Sequence, residues 1–310
     1  VSLFDPNKYL IELINNKIVK KFFKSLYFYS YNSLIYKYLK LNKNSNIVFF
    51  FKGESLNKNF LKKIKKSFKN NIYINYNTDN PFFKNTDLNK QIKSCIGLYD
   101  YYFTWSNNVK NKIIKKKLLT KNKVIHLPFA YDNRYRKKLI INNKKLNKKI
   151  LFYGSWDKNR EKILNRINSK NIDIFGNGWQ NASHQFKKNH DIFFKDIYGS
   201  ELAKKIRIYS ACLNLNRPQV KDSHNMRLFE VTGYCGLIIT PETKETKIFF
   251  KNKNSIIMFK NFVSLKKILK NDFTNQYFLK LRNKSFILSK NHSYDKRSLQ
   301  ILKTISNVIN

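Results

Sequence analysis

Glycine, proline, cysteine and acidic side chains are all scarce in this sequence. Eight glycines and five prolines in 310 residues exclude collagen-like and Pro/Gly-rich low-complexity architectures. The three cysteines, Cys95, Cys212 and Cys235, are widely spaced. They form neither a disulfide framework nor a zinc-ligand pattern, so a reducing compartment is expected. No apolar run approaches the ~20 residues that span a bilayer; Ile47-Val48-Phe49-Phe50-Phe51 has only the length of a strand. The opening Val1-Ser2-Leu3-Phe4-Asp5 lacks the charged region that starts a signal peptide. Neither D-x-D nor G-x-G-x-x-G occurs, and no His/Cys cluster suits a metal, so a nicotinamide dinucleotide site is not indicated.

Positive charge is what the chain has in excess. Lys and Arg number 62 against 19 Asp and Glu, a formal charge of +43, while 42% of residues are hydrophobic. That apolar content excludes a disordered basic tail. Such a charge is the usual footprint of a nucleic-acid binder or a protein on an anionic membrane surface. Only nine of the cations are Arg, however, and Lys, Asn, Ile, Phe and Tyr, which share A/T-rich codons, are abundant throughout. A uniform drift of surface positions towards Lys and Asn accounts for the charge without a polyanion partner. Against that background a retained Arg marks a need for planar, bidentate geometry, and a retained Gly a backbone need.

The length suits two domains of about 150 residues. Residues 8–41 read as an amphipathic helix, packed on a sheet or lying on a membrane. Strands are expected at 46–51, 72–76, 100–105 and 124–127, with helices at 57–69 and 109–118. Residues 132–149 are polar and basic and read as a linker. The pattern then restarts, with strands at 150–153, 172–175, 211–215, 237–240 and 255–259. Helices are expected at 160–169, 200–210, 226–234, 242–250 and 262–271, and from 273 the chain is mostly helical. Alternating apolar strands and amphipathic helices predict α/β architecture with parallel sheets covered on both faces. The expected divisions are a first domain at 1–131, the linker, a second domain at 150–271 and C-terminal helices at 272–310.

Ligands of doubly wound sheets bind beyond the carboxyl ends of the strands, so the loops of the second half carry the candidates. In Tyr153-Gly154-Ser155-Trp156-Asp157 a scarce Gly ends a strand, and Arg160 lies in the next helix's first turn. Backbone N–H groups and a guanidinium there suit a diphosphate, although a plain strand-to-helix turn reads the same way. Phe175-Gly176-Asn177-Gly178-Trp179 either admits a nucleobase, packed by Phe175 or Trp179, or is a turn with a buried Trp. The third loop is richer. Asn214, Arg217, Asp222, His224, Arg227 and Glu230 gather after one strand and across the next helix start. On that helix Met226, Phe229 and Gly233 are expected to face the sheet, with Arg227 and Glu230 on another face. Glu230 suits a ribose diol, and the cations suit a pyrophosphate.

These motifs resemble a known family. F-Y-G-S-W-x3-R, F-G-N-G-W, N-x-x-R, H-N-M-R-x-F-E and the late His292-Ser293-Tyr294-x-x-Arg297 occur in order. This is the pattern of the glycosyl-transferase-like family named after the spore-maturation protein CgeB, within the GT-B glycosyltransferases. Phe51-Lys52-Gly53-Glu54, Asn77-Thr78-Asp79-Asn80-Pro81 and Leu127-Pro128-Phe129-Ala130 extend the resemblance to the first half. Asp222 stands where the GT-B E-x7-E element has its first Glu. Residues 1–4 resemble the second strand of a GT-B first domain, which implies a fragment or a reduced acceptor domain.

The resemblance implies a GT-B fold, two Rossmann-like domains facing each other across a cleft, with C-terminal helices crossing back to the first. It implies transfer of a sugar from a nucleotide diphosphate sugar to an unknown acceptor (glycan, lipid-linked glycan or protein), with no metal or other cofactor. Gly154, Ser155, Arg160, Arg217 and Arg227 would hold the diphosphate; Phe175, Gly178 and Trp179 the base; Glu230 the ribose. Asp222 and His224 would lie near the transferred sugar. Asp79 is the candidate general base if transfer inverts, and His126 a weaker one. The expected location is cytoplasmic, with contact at the inner face of the membrane left open and no nucleic acid expected. The rival reading is a non-catalytic binder of nucleic acid or anionic membrane on an α/β scaffold.

Overall fold

The computed structural model describes residues 3–5, 24–44, 46–138, 146–167, 171–220, 222–250 and 255–309. Residues 8–23 of the helix expected over 8–41, part of the linker (139–145) and the first two residues lie outside these. The chain divides into two compact units, Val1–Leu127 and Pro128–Asn310. Residues 128–138 of the strand-to-linker region belong to the second.

The first unit is built on a parallel sheet of β1 (Ile47–Phe51), β2 (Ile72–Asn77), β3 (Tyr101–Thr104) and β4 (Val124–His126), in that spatial order. Sequential parallel strands require helical crossovers. These are α2 (Lys58–Ser67), α3 (Asp87–Cys95) and α4 (Asn107–Lys115), following α1 (Lys24–Leu41). Asn57, Thr86 and Ser106 cap α2, α3 and α4 through their side-chain oxygens, the usual reason that Asn, Thr and Ser precede helices. Leu61 and Ile64 of α2, Cys95 of α3 and Ile113 of α4 are buried with Val48, Tyr73 and Tyr102. Sequence periodicity misses α3, whose buried stripe is only Ile92 and Cys95. Leu3, Phe4 and Asp5 adopt no regular structure, and Phe4 stacks on Tyr38 at 4.3 Å.

The second unit holds a six-stranded parallel sheet in the order β10-β9-β8-β5-β6-β7. Its strands are β5 (Asn147–Tyr153), β6 (Ile172–Phe175), β7 (Asp191–Phe193), β8 (Tyr209–Leu213), β9 (Ile238–Pro241) and β10 (Ile257–Phe259). Alternate residues of β5 feed two separate cores. Ile150 and Phe152 join Ile172, Ile174 and Leu213 on one face, while Leu151 and Tyr153 join Cys212, Ile238 and Phe229 on the other. That double burial explains why Ile150–Tyr153 reads as a continuous apolar run rather than an alternating one. The three-residue β7 and the helix His184–Asn189 before it are too short for a periodicity signal.

The order of strands reverses between β5 and β8, which makes a topological switch point, the place where open α/β sheets bind ligands. Helices α5 (Lys158–Ile167) and α7 (Gly199–Ile208) and the short α8 (Arg227–Gly233) and α9 (Lys244–Phe249) follow the strands around it. Helices α11 (Gln276–Leu288) and α12 (Tyr294–Ile309) end the chain. The start of α12 is tied to Tyr131, through Tyr131 N–H to the His292 carbonyl (3.2 Å) and Tyr294 N–H to the Tyr131 carbonyl (3.0 Å). No helix among the described residues is long and apolar enough to cross a membrane.

Candidate functional site

The turns after β5 and β6 are packed backbone to backbone. Gly154 N–H donates to the Phe175 carbonyl and Trp156 N–H to that of Asn177, both at 2.8 Å. A Cβ on Gly176 would sit 2.3 Å from the Gly154 oxygen. Gly154 and Gly176 both adopt positive φ, +146° and +149°, so glycine is required here for conformation as well as for space.

Arg160 lies in this floor and is 3% exposed. Its Nη1 donates to the Ser155 carbonyl (2.8 Å), and its Nε and Nη2 donate to that of Leu215 (3.3 and 3.0 Å). Burial, then the nearby Arg227 cation, push the guanidinium down to about 9, with Asp157 opposing. It therefore remains charged near neutrality, and it joins the β5 turn to the β8 turn. The expectation for Arg160 was diphosphate contact, and these donors go to backbone carbonyls instead.

Arg227 is the half-buried cation above this floor. Its Nε donates to the Tyr153 carbonyl at 2.6 Å, and its guanidinium lies over the Tyr153 ring, 5.1 Å from the centroid. A Cβ on Gly154 would meet Arg227 Nη2 at 2.3 Å, so the bare glycine leaves the space the guanidinium occupies. Tyr153 also donates its hydroxyl to Glu230 Oε2 at 3.0 Å. One tyrosine thus holds both the cation and the carboxylate that sequence spacing placed on one helix face. Burial raises the Glu230 carboxyl, while Arg227 and the Tyr153 hydroxyl act against the rise. Arg217 is exposed, with Nε 3.8 Å from Asp157 Oδ2.

The loop between β8 and α8 is an amide network. Asn225 Nδ2 donates to Asn214 Oδ1 (2.8 Å) and Asn216 Oδ1 (2.9 Å), and its Oδ1 accepts from Arg227 N–H (3.1 Å). Asn214 in turn donates to Thr240 Oγ1 at 3.0 Å. Asp222 is exposed in the left-handed region, φ +64°, where short Asp side chains are tolerated better than longer ones. His224 is fully buried. Its Nδ1 faces Glu245 Oε2 at 2.6 Å, and its Nε2 accepts from Phe129 N–H at 3.3 Å. Met226 is 40% exposed, unlike Phe229 and Gly233, which are buried. Met226 precedes the first helical turn, so it does not face the sheet as expected.

Of the residues expected at the base, Phe175 and Trp179 lie inside the fold. Phe175 stacks on Phe193 at 4.3 Å. Trp179 is fully buried between Phe152 and Phe186, with its indole N–H on the Gly154 carbonyl at 2.9 Å. Gly178, at φ +83°, and Asn177 form the accessible part of that turn. Asn177 N–H donates to Asp196 Oδ1 at 3.0 Å, and its side-chain amide also meets Asp196. Nearby in sequence Tyr198 is 72% exposed.

In the first unit, considered separately, Asp79 follows β2. Its N–H donates to Asn77 Oδ1 (2.8 Å), and its carboxylate pairs with Lys52 Nζ (3.0 Å). Burial disfavours the Lys52 ammonium, but Asp79 and Glu54 outweigh it and raise its affinity for the proton. His126 Nε2 contacts the Trp105 carbonyl at 3.0 Å.

Tyr153, Asp196 and Glu245 are the site residues that sequence reading missed. Tyr153 looks like an ordinary strand residue, and Glu245 is 21 residues from its histidine without a shared motif. Asp196, three residues after an exposed edge strand, had only its place before a helix start as a signal. No group of three or more metal-type side chains occurs among the described residues.

Residues 157–303 match the model of a family described as glycosyl transferase-like. No curated protein matches the chain. Among solved structures, HepE of Anabaena in complex with UDP-glucose is similar, with a TM-score of 0.67 and 10% identity over 89% of this chain and 82% of that one. The N-terminal domain of Candida albicans trehalose-6-phosphate phosphatase gives 0.65 at 12% identity, over 91% and 74%. Sucrose-phosphate synthase of Thermosynechococcus elongatus gives 0.64 at 9%, over 90% and 77%. The fold is that of the GT-B glycosyltransferases, and the part of the chain that builds most of the site matches a glycosyl transferase-like family.

Proposed function

We propose that the protein is a glycosyltransferase that moves a sugar from a nucleoside diphosphate sugar to an acceptor hydroxyl, without a metal in the site. The observation that carries this reading is the arrangement at the switch point. Arg227 fills the space left by Gly154, and Tyr153 holds both it and Glu230. A cation beside a bare, positive-φ turn suits a diphosphate, and a half-buried carboxylate a few ångströms on suits a ribose diol. The similar HepE structures hold UDP, glucose and UDP-glucose, which supports the same class of donor for this chain.

In this reading Arg227 and Arg217 neutralise the leaving diphosphate over the backbone of Gly154 and Ser155, and Arg160 holds that floor in place from beneath. Phe175 and Trp179 shape the Gly176-Asn177-Gly178 turn from inside, and the base lies along Gly178. Glu230 takes the ribose hydroxyls. Asp222, exposed at the loop tip, lies towards the transferred sugar, and His224 supports the loop from within. Asp79 is the candidate base for an inverting reaction. Glycan, lipid-linked glycan and protein acceptors all fit this chemistry, as does peripheral contact with an anionic membrane.

The test is a donor-hydrolysis and transfer assay with a panel of nucleotide sugars, with and without chelator. Turnover of one donor that persists in chelator supports the proposal. Absence of turnover and of nucleotide binding, together with tight salt-sensitive binding of RNA or DNA, would establish the rival reading.

A further inference from the structure

We propose that Glu245 is a positioning residue for the donor site, its buried carboxylate fixing the Ser223-His224 turn that presents Asp222 and Arg227 to the donor. This inference rests on the glycosyltransferase reading above.

Glu245 belongs to a different element, the first turn of α9, whose start is set by a reciprocal capping box of Thr243 and Thr246. Its side chain is 4% exposed. A carboxylate so enclosed persists only if donors surround it. Two converge on one oxygen: the Ser223 hydroxyl and His224 Nδ1 both meet Oε2. Because His224 Nε2 accepts from Phe129 N–H, its proton must sit on Nδ1, and Glu245 is what holds it there. Phe129, Phe229 and Phe249 meet the imidazole edge-on at 5.8, 5.2 and 4.8 Å, so the pair is shielded by rings.

The turn is thus pinned at its centre, and its exposed ends carry the donor-facing groups. On one side Asp222 takes its left-handed conformation. On the other, Asn225 caps Arg227 N–H, and the Arg227 guanidinium reaches the Tyr153 carbonyl. Both donors meet the same oxygen, so removing the carboxyl group takes this acceptor from the Ser223 hydroxyl and the His224 Nδ1–H at once. The imidazole can then move its proton to Nε2, where it opposes the Phe129 N–H.

The experiment compares wild type, Glu245→Ala and Ser223→Ala by three readouts. These are ring ¹⁵N shifts of His224, titration with UDP, GDP and ADP, and thermal unfolding. Wild type should show the Nδ1–H tautomer and bind one nucleotide. Glu245→Ala should lose that tautomer and weaken the nucleotide about tenfold, the scale of one hydrogen bond to an ion. Ser223→Ala, which keeps the pair, should keep the tautomer and lose only about threefold. This milder variant decides the matter should Glu245→Ala fail to fold, since unchanged affinity in it then counts against the proposal. A Glu245→Ala protein that binds nucleotide as wild type does overturns it. If wild type binds none of the three nucleotides, the glycosyltransferase reading fails first, and the proposal falls with it.

Discussion

The carboxyl ends of the two parallel sheets are finished in opposite ways. In the second unit nearly every polar group at the strand ends is engaged. Arg160 is held by two carbonyls, Asn225 bridges two asparagines, and His224 lies between Glu245 and Phe129. In the first unit the strand ends carry the buried polar atoms Asn75 Oδ1 and Thr104 Oγ1 without a hydrogen-bond partner among the described residues. Asn75 and Asn77 lie on β2, and Thr104 pairs in register with Asn77, so these groups share one face. Buried polar atoms are normally satisfied. The contrast teaches that the second unit's site is held by its own hydrogen bonds, whereas the first unit's strand ends keep polar atoms unsatisfied.

Substitutions can break this contrast at either end. The largest effect should come from Arg227→Ala, which removes the cation held over Gly154. A loss of about 10²–10³ in kcat/KM is expected in steady-state assays, the scale of one preorganised donor to a developing charge. Unchanged turnover would place the diphosphate elsewhere. Gly154→Ala attacks the same spot from the backbone. Its Cβ would enter the guanidinium's position at 2.3 Å, so activity should fall about tenfold to a hundredfold, and strain of ~1–3 kcal/mol should lower the midpoint of unfolding.

In the first unit Asp79→Asn asks a chemical question. If transfer inverts, kcat should fall about 10²-fold or more while donor affinity stays constant; an unchanged kcat assigns the base role elsewhere or the reaction to retention.

Acid should act through His224, which is buried, and His292, which is half-buried. His292 is pushed down to about 4 by burial, then by the Arg297 and His224 charges, and burial lowers His224 as well. The unfolded chain takes up protons near pH 6.5 that the folded one refuses. Stability should therefore fall as pH drops from about 6.5 to about 4, by ~3 kcal/mol for His292. Urea unfolding across that range checks the sign, and His292→Phe should flatten the curve.

The smallest effect is expected at the first unit's sheet end. Thr104→Val removes an unpartnered hydroxyl and should raise stability by about 1 kcal/mol. A loss instead would show that the hydroxyl is satisfied in solution.

Much of this molecule was legible in its sequence. The second half of β5, Ile150–Tyr153, announces itself because residues buried on both faces form an unbroken apolar run. Gly154 and Arg227 stood out against a Lys-rich, Gly-poor background, and they prove to share one space. Phe175 and Trp179 were harder, because an aromatic beside a Gly-rich turn looks the same whether it faces a ligand or the core. Burial resolves that only once the sheet is assembled. The Glu245–His224 contact had no local signal at all, since it joins a loop to a helix start through packing rather than spacing. For the same reason Met226 was misplaced. Helical periodicity was extended one residue past the true start of α8, where the chain is still turning.

The central claim is that the β5–β8 switch point binds a nucleoside diphosphate through Arg227 and Glu230. Calorimetric titration of UDP, GDP and ADP into wild type, Arg227→Ala and Glu230→Ala proteins tests it most directly. The account predicts that one nucleotide binds wild type, that Arg227→Ala weakens it about a hundredfold, and that Glu230→Ala weakens it about tenfold. Equal binding by all three proteins, or none by wild type, would contradict it.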